Sequence, residues 1–156
     1  MVSDEQKLTP ALEAARRRRA DLRRALLDVE KAISGPAAGR LERWTAEVVA
    51  KLGQLRRAIE EHVDVTEGPG GLYEDIMARA PRLAGRIQRL QGEHPAMHDR
   101  AYVLVNRLRS TPIGDAWPLE QARDDVQRLL GAIVKHRQRG ADLVWEAYSL
   151  DIGGLE

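Results

Sequence analysis

Apolar side chains recur every three or four residues along most of the chain, with polar and charged residues between them. Such spacing places the apolar positions on one face of an α-helix. The first stripe follows Thr9-Pro10, which is typical of a helix N-cap with proline in the first turn. The pattern predicts four long amphipathic helices over residues 8–33, 41–66, 83–108 and 119–150, with a short connecting helix over residues 72–80.

Breaks in the pattern lie where glycine and proline cluster. The strongest is Gly68-Pro69-Gly70-Gly71, and residues 110–118 form a predicted loop. Alternating β-branched residues, which would indicate strands, do not occur over a useful length. Four long helices with short joints predict an all-α, up-down-up-down four-helix bundle. We expect the bundle to cover residues 8–150, with residues 1–7 and 151–156 as tails.

Composition narrows the possible functions. A chain of 156 residues with 43% hydrophobic and 31% charged residues is typical of one globular domain. The absence of cysteine excludes disulfides, thiolate metal ligands and a cysteine nucleophile. No signal peptide or membrane-length apolar segment is found, so a cytoplasmic protein is expected. The basic run 16–19 is balanced elsewhere to a net charge of +1, which does not favour nucleic-acid binding. No serine is paired with a histidine, so binding is favoured over enzymatic catalysis.

The four histidines of the chain all fall on the predicted inward stripes, at His62, His94, His98 and His136. Imidazoles from several helices at one depth of a bundle can form a metal site. His94-x3-His98 is the strongest local signal, because residues four apart project from one helical face. The alternative is that each histidine is a separately satisfied core residue, and the spacing alone leaves both interpretations open.

Carboxylates near these histidines are candidate partners for a metal. Glu67 lies where the second helix ends and could swing inward as a ligand. Glu93 is a candidate acceptor for the ring N–H groups of the histidine pair beside it. Asp142 follows His136 by six residues, about 240° around a regular helix, so it reaches the site only if the backbone bulges near Gly140.

Short motifs resemble the hemerythrin-like (HHE cation-binding) four-helix bundles over roughly residues 8–148. The similar segments are Arg19-x2-Leu22-Arg23-x2-Leu26-x2-Val29-Glu30, His62 to Glu67 with a following Gly-Leu-Tyr, Glu93-His94-x3-His98, and His136 with a later acidic residue. Members of that family hold two irons, bridged by carboxylates, between the helices. The resemblance implies a non-haem iron protein that binds dioxygen or another small diatomic molecule, senses redox state or nitric oxide, or carries out di-iron oxidation.

Departures from the family pattern imply a divergent site. The family's first-helix histidine falls at Arg19, which stays protonated and cannot be a ligand, and two family carboxylates fall at Thr66 and Gly140. We hypothesise that Arg19 pairs with Glu67 or Asp142; the alternative is that it extends outward. The remaining set suits di-iron, a single iron or zinc, or no metal if the site is degenerate, and its predicted ligands are His62, Glu67, His94, His98 and His136, with Arg19, Glu93 and Asp142 as modifiers.

Two alternatives involve protein partners. A metal-free bundle could act as an interaction module, with an interface formed by the aromatic residues near the helix ends, Tyr73, Trp117, Trp145 and Tyr148. Separately, the C-terminal segment 149–155 (Ser-Leu-Asp-Ile-Gly-Gly-Leu) resembles the cargo-loading peptides that dock into encapsulin shells. An ordinary glycine-terminated helix end explains the same segment and is favoured.

Overall fold

Four long helices and one short helix account for the regular structure. The computed structural model describes residues 9–150, and no strand occurs within that range. Its elements are α1 (Pro10–Ser34), α2 (Leu41–Glu67), α3 (Leu72–Arg79), a 3-10 turn (Pro81–Leu83), α4 (Ala84–Ser110), α5 (Leu119–Trp145) and a π-helical turn (Glu146–Leu150). The predicted all-α class is confirmed. Helix α1 contacts α2 and α5, and α4 contacts the same two helices, which is consistent with a four-helix bundle.

Local signals place the helix ends as the sequence pattern predicts. The Thr9 hydroxyl accepts a hydrogen bond from the Leu12 backbone N–H at 3.1 Å, and Pro10 occupies the first turn of α1. Helix α2 stops before Gly68, and Gly70 in the following turn has a φ of 71°, which favours glycine. Helix α4 continues through Pro95.

Two apolar cores lie along the bundle. The larger one is built around Trp44, Leu52 and Val126, and the smaller one around Ile76 and Leu143. Helices α1 and α4 enter the smaller core first along the chain, whereas α2 and α5 enter the larger core first. At the transition between the cores the four long helices carry polar residues instead of apolar ones, namely Arg19, His62, His94 and His136. We call this level of the bundle the polar layer.

The aromatic residues near the helix ends differ in their exposure. Trp117 and Tyr73, considered above for a protein interface, are buried, whereas Trp145 is 60% exposed. Among the residues described, none of the helices has both the length and the apolar character needed to cross a bilayer. The expected tails, residues 1–7 and 151–156, lie outside the described residues, and so does most of the segment that resembles a cargo-loading peptide.

Candidate metal centre

Three histidines from three helices meet in the polar layer. His62 comes from α2, His94 from α4 and His136 from α5. The Nε2 atom of His136 lies 3.1 Å from the Nε2 of His62 and 3.1 Å from the Nε2 of His94. One nitrogen from each of the three rings lies within 4.8 Å of the other two, close enough to share one metal ion. The rings meet edge-on rather than stacked, so the three nitrogens converge instead of the ring faces.

Two of these histidines have a carboxylate on the opposite ring nitrogen. The Glu93 carboxylate lies 2.8 Å from Nδ1 of His136, and the Glu67 carboxylate contacts Nδ1 of His94. A carboxylate accepts hydrogen bonds, so each of these Nδ1 atoms carries the ring hydrogen and donates it. In a neutral imidazole the other nitrogen, Nε2, then has a free lone pair. The carboxylates therefore fix the tautomer in which His94 and His136 can bind a metal.

A cation fits the space between these nitrogens. The Nε2 atoms of His94 and His136 are both acceptors in the tautomers just described, yet they face each other at 3.1 Å. His62 can donate one hydrogen to Nε2 of His136. Within residues 9–150, no donor contacts the lone pair on Nε2 of His94. Two imidazole nitrogens on one tetrahedral zinc ion lie about 3.3 Å apart, given zinc–nitrogen bonds of about 2.0–2.1 Å. Two of the three nitrogen pairs have nearly this spacing, and all three nitrogens lie within 4.8 Å of one another.

Burial keeps the three imidazoles in the neutral form that binds metals. Burial first, and then the neighbouring His94 and His136, lower the pKa of His62 from 6.5 to about 3. Burial also lowers the pKa of His94 and of His136, although Glu67 and Glu93 oppose the shift by favouring the charged ring. Proton loss is thus not a large barrier to metal binding here near neutral pH.

His98 does not join the cluster. Its side chain is 36% exposed, and its Nε2 lies 3.0 Å from the Glu60 carboxylate instead of the other histidines. The expectation that all four histidines point inward therefore needs correction. The buried stripe of α4 passes from His94 through Met97 to Ala101, and His98 lies at its edge. The buried positions advance by three residues from His94 to Met97 and by four from Met97 to Ala101. His98, four residues after His94, is therefore left outside the buried stripe.

Two of the three predicted carboxylates contact Nδ1 atoms of the histidine rings, and the third lies away from the cluster. Glu67 contacts the outer nitrogen of His94. Glu93 bonds the histidine of α5 rather than the histidine pair of its own helix. Asp142 is exposed and accepts a hydrogen bond from Gln138 at 3.2 Å. The backbone of α5 stays regular past Asp142, and its π-helical turn begins only at Glu146. That change comes too late in the chain to swing Asp142 inward.

Arg19 lies at the edge of the polar layer rather than inside it. Its side chain is exposed, and within residues 9–150 it forms no ion pair with Glu67 or Asp142. The long apolar stem of an arginine allows its charge to remain in water beside a buried layer. The structure thus agrees with the outward alternative for Arg19.

Several supporting residues were not predicted. Arg139 donates to Glu93 at 2.8 Å, which fixes the carboxylate that bonds His136. The Tyr73 ring stacks on His94 with centroids 6.2 Å apart and 12° between the planes. Buried Thr66 donates its hydroxyl hydrogen to the His62 carbonyl at 2.8 Å. The sequence offers a signal for Arg139, which follows His136 by three residues on the same helix. It offers none for Tyr73, which reaches His94 from a different helix.

We compared the chain with protein-family models, curated proteins and solved structures. The chain matches no protein-family model, no curated protein and no solved structure.

Proposed function

We propose that this chain is a metal-binding protein that holds one divalent transition-metal ion between α2, α4 and α5. The Nε2 atoms of His62, His94 and His136 would be its ligands. The observation that carries the proposal is the pair of carboxylates behind the ligands, since Glu67 and Glu93 orient two Nε2 lone pairs toward the same point. Histidines buried only for packing have no need of this convergence.

A single ion is favoured over the carboxylate-bridged pair that the resemblance implies. The two carboxylates next to the cluster bond Nδ1 atoms, on the side of each ring that faces away from the proposed ion. They are therefore not placed to bridge two metal ions. Thr66 and Gly140 occupy the positions where the family pattern has two further carboxylates. Three neutral imidazoles suit iron(II) and zinc, and iron is favoured by the resemblance. Three protein ligands also leave a coordination position for a small ligand, such as a diatomic molecule.

The proposal includes the hemerythrin-like topology. Successive long helices meet the two cores in alternating order, which supports an up-down-up-down arrangement. The polar layer then corresponds to the metal level of the hemerythrin-like bundles, with Arg19 in place of one ligand. We propose that this chain is a single-metal variant of that architecture.

Elemental analysis with three variants tests the proposal. Protein purified without added metal, then loaded with iron(II) or zinc and desalted, is expected to retain about one equivalent of one of them. His94→Leu and His136→Leu each remove a buried ligand while refilling its space, and both are expected to lose the metal. His98→Leu is the matched control and is expected to keep it. Less than about a tenth of an equivalent in the parent protein, or retention in His136→Leu, would contradict the proposal.

A further inference from the structure

A cavity of about 230 Å³ lies beside the polar layer, on the side of the smaller core. His62 and His136 form part of its wall, and most of the remaining wall is apolar, with Leu12, Leu72 and Leu143 among its members. The aromatic rings of Tyr73 and Tyr148 also line it. A concave, mostly apolar space with a few polar groups at one end is typical of small-molecule binding sites.

The charged residues that line the cavity all carry the same sign. They are Arg16, Arg19 and Arg137, and no acidic residue is among the lining residues. Within the part of the chain that the structure describes, no carboxylate forms an ion pair with any of the three. Arginines elsewhere on the surface do have such partners, for example Arg18 with Glu61 at 3.0 Å. Among residues 9–150, the rim of the cavity is therefore a concentration of positive charge with no acidic residue beside it.

Arg137 is the most constrained of these arginines. Its Nε atom is buried without a hydrogen-bond partner in the described structure. The positive charges of Arg19 and Arg23 are close enough to repel the charge of Arg137. An anion placed between Arg19 and Arg137 would relieve both the repulsion and part of the desolvation.

We propose that this cavity binds a small organic carboxylate with an apolar body. The carboxylate would lie between Arg19 and Arg137, and the apolar body would occupy the space walled by leucines and tyrosines. A volume of 230 Å³ divided by about 30 Å³ for a water-sized group gives room for about eight such groups. A monocarboxylate of about eight carbons matches this size. His62 and His136 belong to the cavity wall, but the proposed carboxylate site uses the two arginines and does not depend on a metal.

Titration calorimetry with octanoate and 1-octanol tests the two halves of the ligand separately. Octanoate is expected to bind at one site, and octanol at least about tenfold more weakly because it lacks the charge. Shortening the acid to hexanoate is expected to weaken binding about fifteenfold, at about fourfold for each methylene. Equal affinity for octanoate and octanol would contradict the assignment of the arginines, and no octanoate binding would overturn the proposal.

Two pairs of variants locate the site. Arg19→Gln/Arg137→Gln is expected to weaken octanoate binding at least about tenfold, whereas Arg17→Gln/Arg100→Gln, with the same loss of charge away from the cavity, is not. Gly140→Leu projects into the cavity from α5, where an added Cβ meets no atom within 4 Å. It is expected to abolish binding, and Gly131→Leu on the same helix is its control. Binding unchanged in both cavity variants would overturn the proposal.

A chelator separates this proposal from the proposed metal site. Octanoate is expected to bind equally well with and without EDTA, because arginines rather than a metal would hold the carboxylate. Loss of binding in EDTA would show that the acid binds a metal ion instead, and the cavity assignment would be wrong. Unchanged binding in a protein that holds no metal would support the cavity and still contradict the metal proposal.

Discussion

The placement of single hydrogen atoms decides what the three histidines of the polar layer can bind. The two carboxylates hold the hydrogen of His94 and of His136 on Nδ1, so their lone pairs meet at Nε2. Within the described part of the chain, the Nδ1 atom of His62 is buried without a hydrogen-bond partner. His94 and His136 are therefore the better oriented ligands. The ring of His62 has no carboxylate among the described residues to fix its tautomer.

Glu93→Gln is expected to weaken metal binding about 10–100-fold, because a neutral amide no longer fixes the tautomer or strengthens the basicity of His136. Competition with a chromophoric chelator measures the change. Glu60→Gln is the matched control, since Glu60 bonds His98 outside the cluster. Equal loss in both variants would mean that net charge, not ring orientation, governs the affinity.

Burial of His62 makes the metal-free protein sensitive to acid. The unfolded chain binds a proton at His62 as the pH falls below 6.5, whereas the folded chain does not until about pH 3. The free energy of unfolding therefore falls as the pH is lowered through this window and is independent of His62 above it. From about pH 7.5 to about pH 5, His62 alone is expected to cost about 2 kcal/mol.

Urea denaturation in the presence of a chelator measures this pH dependence. His62→Leu is expected to reduce the slope. A parent protein as stable at about pH 5 as at about pH 7.5 would contradict the buried neutral cluster.

At the scale of elements, the first turn of α1 is tied to two other segments. Thr9 caps the helix at the Leu12 N–H and donates its own hydroxyl to Asp75 of α3 at 3.0 Å. Tyr148 of the π-helical turn donates to the same carboxylate. One threonine thus joins α1, α3 and the end of the described chain next to the smaller core.

Thr9→Ala is expected to lower the free energy of unfolding by about 1–2 kcal/mol, because it removes a helix cap and one partner of Asp75. Thr9→Ser retains the hydroxyl and is expected to recover most of the loss. Denaturant unfolding curves of the two variants provide the comparison. A serine variant as unstable as the alanine variant would assign the effect to the lost methyl group.

The elements were largely predictable because their signals are local. Proline after a threonine, glycine clusters and apolar spacings mark the same helix ends that the structure shows at Pro10 and Glu67. The edge position of His98 was not predictable, because stripes through Met97 and through His98 fit the same periodicity. The cross-helix bond from Glu93 to His136 was missed because the offset between α4 and α5 decides it.

At the scale of the whole molecule, a metal at the polar layer would link three helices between the two cores. Because the unfolded chain lacks this arrangement, metal binding stabilises the fold by mass action. At a free metal concentration about 100 times the Kd, the expected gain is about 2.7 kcal/mol, or a rise in Tm of about 5–10 °C. Differential scanning calorimetry measures the rise, and His136→Leu is expected to show none.

The common depth of the histidines was predictable from the order of polar interruptions along the four stripes. The depth of a residue in the bundle follows from packing whole helices side by side. The predicted depth therefore changes little when a predicted helix end is wrong by a residue or two. What a stripe cannot show is which way a long side chain turns at the edge of the layer, and Arg19 turns outward.

Anomalous X-ray diffraction from crystals of the metal-loaded protein locates the bound ion. We expect one peak per chain among the Nε2 atoms of His62, His94 and His136, with bonds of about 2.0–2.3 Å. A map with no peak there, or with the ion bound at His98 and Glu60 instead, would contradict the proposed metal site.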